Sequence, residues 1–262
     1  RPCATGLWPR RAVPSAEGAP VSDAEAVELF APLRDLRLIA LAVSGGPDST
    51  ALVLAHARAR AVDARLPEAV VLTVDHRLRA ASATEAEAVA ALAARHGLAH
   101  RTLVWDGAKP AANLQAEARR ARYDLLVDAA RDLGAGALLT AHHADDQAET
   151  FLARLARGSG VLGLAAMARS RRLDGLLLFR PFLDLPKARL VATVAAHGET
   201  WVEDPSNADP RFDRARLRAA APLLADLGLS RDRLVATARA MARAARMIED
   251  RVDVALAAAV VL

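Results

Sequence analysis

The chain has 262 residues, of which 53% are hydrophobic and 25% charged, and its formal net charge at pH 7 is +4. This length and apolar content suffice for one large domain or two smaller ones, while no apolar run approaches the ~20 residues that a membrane-spanning helix needs. A single cysteine, Cys3, excludes a disulfide framework and a cysteine-based metal site and fits a reducing, cytoplasmic compartment.

Residues 1–22 contain four prolines and no periodic pattern, which predicts a disordered leader. From Asp23 onward, apolar runs alternate with segments of helical periodicity. Strands are predicted at 36–43, 69–74, 100–105, 137–141 and 176–179. Helices are predicted at 23–30, 49–60, 82–96, 114–133, 145–156, 186–197 and 230–261.

Uniformly apolar strands that alternate with helices predict a mostly parallel sheet covered on both faces, the doubly wound α/β class. Ligands of such sheets bind at the carboxyl ends of the strands. Polar segments follow four of the predicted strands, at 44–49, 75–76, 105–106 and 142–146. We therefore expect these segments to meet at one edge of the sheet.

The segment "SGGPDS", residues 44–49, lies between a predicted buried strand and a helix. A glycine-rich turn before a helix is typical of an anion site, because the helix N-terminus offers unpaired N–H groups and a positive dipole end. The turn lacks the lysine of a Walker loop, so backbone amides and hydroxyls must bind the phosphate. Asp48 fits there if Mg²⁺ lies between it and the phosphate. The alternative is a plain turn in which Asp48 or Ser49 caps the helix.

The segment "TAHHADDQAET", residues 140–150, places His142, Asp146 and Glu149 at a strand end and in the first turns of a helix. Crowded carboxylates are costly without a cation, so a metal ion or an ammonium group is indicated. A solvated acidic helix start is the alternative. Zinc is disfavoured, since adjacent histidines point apart and no H-E-x-x-H motif occurs.

Arginines form two further candidate sites. A stripe in "NLQAEARRARYDLL" could bind a polyphosphate, although such stripes are most often solvated. The segment that ends in "RFDRARLR" suits a nucleic-acid phosphate backbone. We assign this second role to four arginines, Arg211, Arg214, Arg216 and Arg218.

Taken in order, "SGGPDS", "VDHRLR", "NLQAEARRARYDLL", "TAHHADDQAETFLARLARGSGVLGLAAM", "RPFLDLPK" and "WVEDPSNADPRFDRARLR" resemble the tRNA(Ile)-lysidine synthetase family of the PP-loop ATP pyrophosphatases. The resemblance covers residues 38–218. It implies a PP-loop (adenine nucleotide alpha hydrolase-like) catalytic domain at 23–218, followed by a helical extension at 219–262. It also implies a ligase that joins free L-lysine to the wobble cytidine of an isoleucine tRNA with a CAU anticodon, with ATP as co-substrate and Mg²⁺.

The resemblance also assigns roles to single residues. Ser44, Gly45, Gly46, Pro47, Asp48 and Ser49 would hold the ATP phosphates, with Asp48 near Mg²⁺. Arg122 would touch the triphosphate. His142, Asp146 and Glu149 would line the pocket where lysine and the cytidine meet.

Other functions remain possible from the residues alone. A tRNA thiolase of the same superfamily needs cysteines that this chain lacks beyond Cys3. An NAD synthetase-like enzyme would need neither the acidic segment nor the basic one. A nucleotide- or RNA-binding module without catalysis is the alternative from another class.

Overall fold

The computed structural model describes residues 18–77, 82–107, 109, 114–202 and 213–259. The strands are β1 (Leu38–Ala42), β2 (Glu68–Asp75), β3 (Ala99–Val104), β4 (Ala137–Leu139), β5 (Ser170–Leu173) and β6 (Leu176–Phe179). The helices are α1 (Asp23–Phe30), α2 (Pro47–Val62), α3 (Ser82–Arg95), α4 (Leu114–Asp132), α5 (Ala144–Leu155), α6 (Val161–Leu164), α7 (Lys187–Ala196), α8 (Asp213–Asp226) and α9 (Arg231–Ala259). A short 3₁₀ turn, Ala31–Leu33, follows α1.

The six strands form one sheet in the order β3-β2-β1-β4-β6-β5. All neighbouring pairs are parallel except β5 and β6. The carboxyl ends of the five parallel strands therefore lie at one edge. Strands β2 and β3 lie on one side of β1, whereas β4 and the later strands lie on its other side. The direction of strand succession therefore reverses between β1 and β4, which makes the gap between them a topological switch point. Crevices at such points are the usual ligand sites of open α/β sheets.

Alternation along β1 sends side chains to both faces of the sheet. Ile39 and Leu41 are buried on one face, in a core that includes Phe30 of α1, Leu52 of α2 and Leu190 of α7. Ala40 is buried on the other face, in a smaller core with side chains of α4, β4 and β6. The predicted doubly wound α/β fold is confirmed.

A third apolar cluster joins the C-terminal helix to the domain. Phe151 of α5 is buried against Leu234, Val235 and Ala238 of α9. The predicted helix at 230–261 is thus confirmed, and its first turns pack on the helix that carries the acidic segment. None of the described helices has both the length and the apolarity that crossing a membrane would require.

The predicted strands and helices agree with the structure to within two residues at each end, and the structure adds helices α6 and α8. Ser22 caps α1 in a reciprocal capping box with Glu25. Val21 is buried, and its N–H donates to Thr193 Oγ1 at 2.8 Å. The end of the predicted 1–22 leader is therefore packed on the domain, and residues 1–17 lie outside the described residues. The predicted division at 218/219 falls inside α8.

One strand, β5, was missing from the prediction. It pairs with β6 through a two-residue turn at Asp174 and Gly175, whose φ angles are 47° and 85°. Asp-Gly with two positive φ angles is the preferred sequence of a type I′ hairpin turn. The dipeptide was therefore a usable signal for this hairpin.

Candidate active site

The turn at residues 44–49 follows β1 at the switch point. Gly46 is the N-cap of α2 and Pro47 is its first residue, so the alternative in which Asp48 or Ser49 caps the helix is wrong. Proline suits this position, because its missing N–H would be unpaired there in any case. Gly46 has no side chain to cap the helix. The first amides of α2 are consequently left for a ligand.

Gly45 requires both backbone freedom and space. Its φ is +83°, and a Cβ there would lie 3.3 Å from a methyl carbon of Val89 and 3.3 Å from one of Val202. The Val202 N–H also donates to the Gly45 carbonyl at 2.8 Å. The conformation of the turn is therefore held by Val202, which is distant from it in the sequence.

Hydroxyl groups hold the inside of the turn. Ser49 Oγ accepts from the Ser44 N–H at 3.2 Å and donates to the Gly46 carbonyl at 3.0 Å. Ser44 Oγ lies 3.4 Å from Ser49 Oγ. Two hydroxyls at the N-terminus of α2 can thus reorient toward phosphate oxygens.

A buried histidine, His143, joins this turn to the acidic segment. It is 2% exposed and occupies the N-cap position of α5, and its Nε2 lies 3.5 Å from a carboxylate oxygen of Asp48 and 3.5 Å from one of Asp146. Its Nδ1 lies 3.6 Å from Asp145. The sequence pattern favours His142 as the site residue, because nothing in it shows which way each of two adjacent histidines points.

His143 is positively charged near neutral pH. Burial opposes the charge, but Asp145, Asp48 and Asp146 outweigh it and raise the pKa of His143 to about 9. An imidazolium carries hydrogen on both ring nitrogens, so in this form Nδ1 cannot accept from the Asp146 amide 3.4 Å away. We favour the charged form because that amide contact is long and three carboxylates surround the ring.

Asp48 and Asp145 are ionised beside this cation. Burial raises the pKa of Asp48, yet the hydrogen bond and charge of His143, with Lys187, bring it below its ordinary value. For Asp145, burial is likewise outweighed by His143 and the Lys187 N–H, which lower the pKa to about 2. Asp48 Oδ1 is buried and has no hydrogen-bond partner among the described residues. One carboxylate oxygen is therefore available to a ligand.

Glu149, the third predicted acidic residue, already has a cationic partner. Arg218 of α8 binds it in a bidentate ion pair, with Nε–Oε1 at 2.5 Å and Nη2–Oε2 at 3.1 Å. Glu149 is buried, and Arg218 also approaches Asp146 at 4.0 Å. The structure thus places Arg218, predicted as a tRNA contact, against Glu149 and near Asp146.

Two other predicted arginines of this group lie at the surface of α8. Arg214 and Arg216 are exposed on α8, and Arg216 pairs with Asp213 of the same helix. Arg211 lies outside the described residues.

Arg122 and His142 lie on an electropositive side of the site. Arg119 and Arg122 flank the Tyr123 ring at 5.2 and 5.5 Å from its centroid. Burial lowers the pKa of Arg122, and the charge of Arg119 adds to this effect. Burial, with nearby arginines, also lowers the pKa of His142 to about 3, although Asp146 opposes the shift. His142 is therefore neutral, and its Nδ1 is 2.8 Å from Thr140 Oγ1.

Lys187, the first residue of α7, is a site residue that the sequence pattern does not single out. Its Nζ lies 3.6 Å from Asp48 Oδ2, and its backbone N–H donates to Asp145 at 2.8 Å. The only signal was its place in "RPFLDLPK", directly after the last parallel strand. The helix start that carries it lies at the same edge of the sheet as the turn.

The arrangement has the parts that phosphate and ammonium chemistry need. Helix N-termini and hydroxyls suit an anion, a free carboxylate oxygen suits a hard cation, and buried carboxylates suit an ammonium group. These parts meet at the switch point of the sheet.

Comparison with known proteins gives a family with this architecture. Residues 20–223 match the PP-loop domain, an ATP-binding domain. Among solved structures, the U34-tRNA thiolase NcsA from Methanococcus maripaludis with its [4Fe-4S] cluster superposes with a TM-score of 0.69 at 12% identity, covering 84% of this chain and 77% of that one. This similarity concerns the fold alone.

Curated relatives are much more similar in sequence. The chain is 54% identical over 233 residues to tRNA(Ile)-lysidine synthase of Rhodopseudomonas palustris, which covers 89% of this chain and 67% of that protein. It is 60% identical over 205 residues to tRNA(Ile)-lysidine synthase of Methylobacterium sp., which covers 78% of this chain and 58% of that protein. The chain therefore belongs to the PP-loop proteins and, among them, to the tRNA(Ile)-lysidine synthase family.

Proposed function

We propose that this chain ligates free L-lysine to C2 of the wobble cytidine in the CAU anticodon of an isoleucine tRNA, with ATP converted to AMP and diphosphate. Two parts of the site carry this proposal: the turn at residues 44–49, called the ATP turn below, and the acidic segment at residues 140–150. They are in contact because His143 lies between Asp48 and Asp146. An activated nucleotide and an amine can react only if their sites adjoin. The chain spans 58–67% of the length of these two relatives. Lysine transfer to tRNA must therefore be measured with this chain itself.

The reaction has two steps in which the charges of the site would take part. The cytidine O2 attacks the α-phosphorus of ATP, and the α–β bridging bond breaks with its electron pair on diphosphate. The lysine ε-amine then attacks C2, and AMP leaves with the former O2. Preorganised cations that face the developing charge are the protein's usual contribution to such steps.

We assign the lysine amine to the pocket of Asp146 and Glu149. The neutral amine must lose a proton when it bonds to carbon. His143 already carries its proton near neutral pH, which leaves the two carboxylates and the neutral His142 as acceptors. We therefore assign general-base assistance to one of these three groups.

We propose that Asp48 holds Mg²⁺ on the ATP phosphates. Its buried, unpartnered Oδ1 fits an oxygen-preferring ion. No cluster of three or more His, Cys, Asp or Glu suited to a metal occurs among the described residues, so ATP would supply most other ligands. When bound, the ion would neutralise phosphate charge during transfer.

The Mg²⁺ assignment predicts that Asp48→Asn raises the magnesium concentration needed for half-maximal diphosphate release by about tenfold or more, since a charged ligand is lost. Diphosphate release is measured while MgCl₂ is titrated at fixed ATP. An unchanged magnesium requirement in this variant would remove Asp48 from the metal site.

The proposed reaction itself is tested with the purified chain, ATP, radiolabelled lysine and total bacterial tRNA, followed by digestion to nucleosides. Label should appear in one modified cytidine and depend on ATP. Norleucine, which lacks the ε-amine, should not compete with lysine for incorporation. Diphosphate release with tRNA but no labelled nucleoside would refute lysine transfer.

We also propose a cytoplasmic location, because ATP and tRNA are found there.

A further inference from the structure

Three helices begin beside the ATP turn. The N-cap of α2 is Gly46, that of α5 is His143, and that of α7 is Pro186. The Ala144 N–H donates to the Leu185 carbonyl at 2.9 Å, and Lys187 N–H donates to Asp145, so the starts of α5 and α7 are bonded to each other. His143 links both to Asp48 in the first turn of α2. Three positive dipole ends therefore face one region.

The ATP turn itself contains no cationic side chain. Phosphate loops of the Walker type place a lysine within the loop, and here residues 44–49 offer only hydroxyls, amides and one carboxylate. A triphosphate that binds at this turn would therefore need a cation from another part of the chain.

Lys187 has the position and freedom to supply that cation. Its Nζ is 3.6 Å from Asp48 Oδ2, beyond ordinary hydrogen-bond distance, so the ion pair is loose. The side chain is 41% exposed and open to a ligand, whereas its backbone is anchored by Asp145. The ammonium can thus turn from Asp48 to a phosphate oxygen without movement of α7.

We propose that Lys187 is the phosphate-binding cation of the ATP site and takes the place of the lysine that the turn lacks. It keeps its proton and acts through charge. In the reaction proposed above, on which this second part rests, it stabilises the diphosphate that leaves when the α–β bond breaks.

The test uses inorganic diphosphate as a probe, in the absence of tRNA and lysine, so that binding is measured apart from lysidine formation. Lys187→Gln should weaken diphosphate binding about tenfold or more, because a charge-assisted hydrogen bond is lost. Lys187→Arg, which keeps the charge, should retain most of the binding. Lys109→Gln removes the only other lysine and should leave the affinity unchanged.

Steady-state rates then separate ground-state binding from catalysis. Lys187→Gln should lower kcat for diphosphate release as well as raise KM for ATP, since the leaving charge grows in the transition state. Wild-type diphosphate affinity in Lys187→Gln would overturn the proposal. So would equal losses in Lys187→Gln and Lys187→Arg with unchanged melting temperatures, because the charge would then be irrelevant. If the wild type binds diphosphate but forms no lysidine, the proposed function fails while the role of Lys187 in phosphate binding stands.

Discussion

His143 and His56 show how one residue type acquires opposite charge states in one domain. His143 lies among three carboxylates, which raise its pKa to about 9. His56 is fully buried against Phe30, and its Nε2 contacts the Pro67 carbonyl at 3.0 Å. Burial lowers its pKa to about 4. The first histidine is therefore part of the charge balance of the site and the second part of the apolar core.

His143 should stabilise the fold most at low pH. Its pKa is raised on folding, so its contribution is complete below the unfolded value of 6.5 and is lost as the pH rises through about 9. The difference corresponds to roughly 3 kcal/mol. Urea unfolding of wild type and His143→Asn from pH 6 to pH 10 should show the two stabilities converging above pH 9. A constant difference across that range would show that the ring is not protonated in the folded state.

His56 should behave in the opposite way. Its pKa is lowered on folding, so stability is complete above 6.5 and falls as the pH drops toward about 4, again by roughly 3 kcal/mol. The matched variant is His56→Phe, which cannot take up a proton. If the stability of wild type and variant changes in parallel between pH 7 and pH 4, His56 is not the group responsible.

At the scale of elements, the turn before α2 depends on a glycine that cannot be replaced without strain. Gly45 and Gly97 both have positive φ, but a Cβ at Gly97 would have nothing within 4 Å, whereas one at Gly45 would press on Val89 and Val202. A substitution at Gly97 therefore introduces backbone strain alone, whereas a substitution at Gly45 introduces backbone strain and steric contact.

We expect Gly97→Ala to cost about 1 kcal/mol of stability through the left-handed backbone alone, with ATP affinity unchanged. Gly45→Ala should cost more and should also weaken ATP binding, because the amides at the start of α2 shift. Chemical denaturation and nucleotide titration measure the two effects. Equal stability losses with normal ATP binding in both variants would show that the contacts with Val89 and Val202 do not constrain the turn.

Helix α5 carries the predicted lysine pocket, and α8 covers it with Arg218. We expect Glu149→Gln to raise the KM for lysine about tenfold or more, because a charge-assisted contact with the ammonium is lost, while ATP affinity stays near the wild-type value. Glu87→Gln, an exposed change on α3, is the control. Unaltered lysine saturation in Glu149→Gln would mean that the carboxylate serves only to bind Arg218.

For the whole molecule, the sequence predicted the fold well because the fold follows from patterning. Apolar strands alternating with helices determine a parallel sheet, and "SGGPDS" follows β1 as expected. The contact of Arg218 with Glu149 could not be predicted, since it depends on where α8 packs, 69 positions along the chain. The same is true of Lys187, which reaches Asp48 only once α7 lies beside α2.

The exposed arginines of α8 are predicted to contribute to tRNA binding through salt-dependent phosphate contacts. Arg214→Ala with Arg216→Ala should weaken tRNA binding and reduce the slope of log K against log salt by roughly 0.7–0.9 for each lost phosphate contact. ATP affinity should change much less. The control pair, Arg37→Ala with Arg131→Ala, lies near the opposite edge of the sheet. An unaltered slope in the α8 variant would identify its arginines as ordinary solvated surface.

The bond from Val202 to Gly45 also bears on the order in which the protein becomes competent during synthesis. The ATP turn is translated early, but Val202, whose N–H binds the Gly45 carbonyl, is translated much later. The same is true of Glu199, which pairs with Arg95 of α3 and with His96 just after that helix. A nascent chain that ends before Val202 lacks this support for the turn even when β1 and α2 have formed. Nucleotide binding by ribosome-bound chains of increasing length should therefore first appear when Val202 has left the exit tunnel, which makes ATP capture a late event in the maturation of this domain.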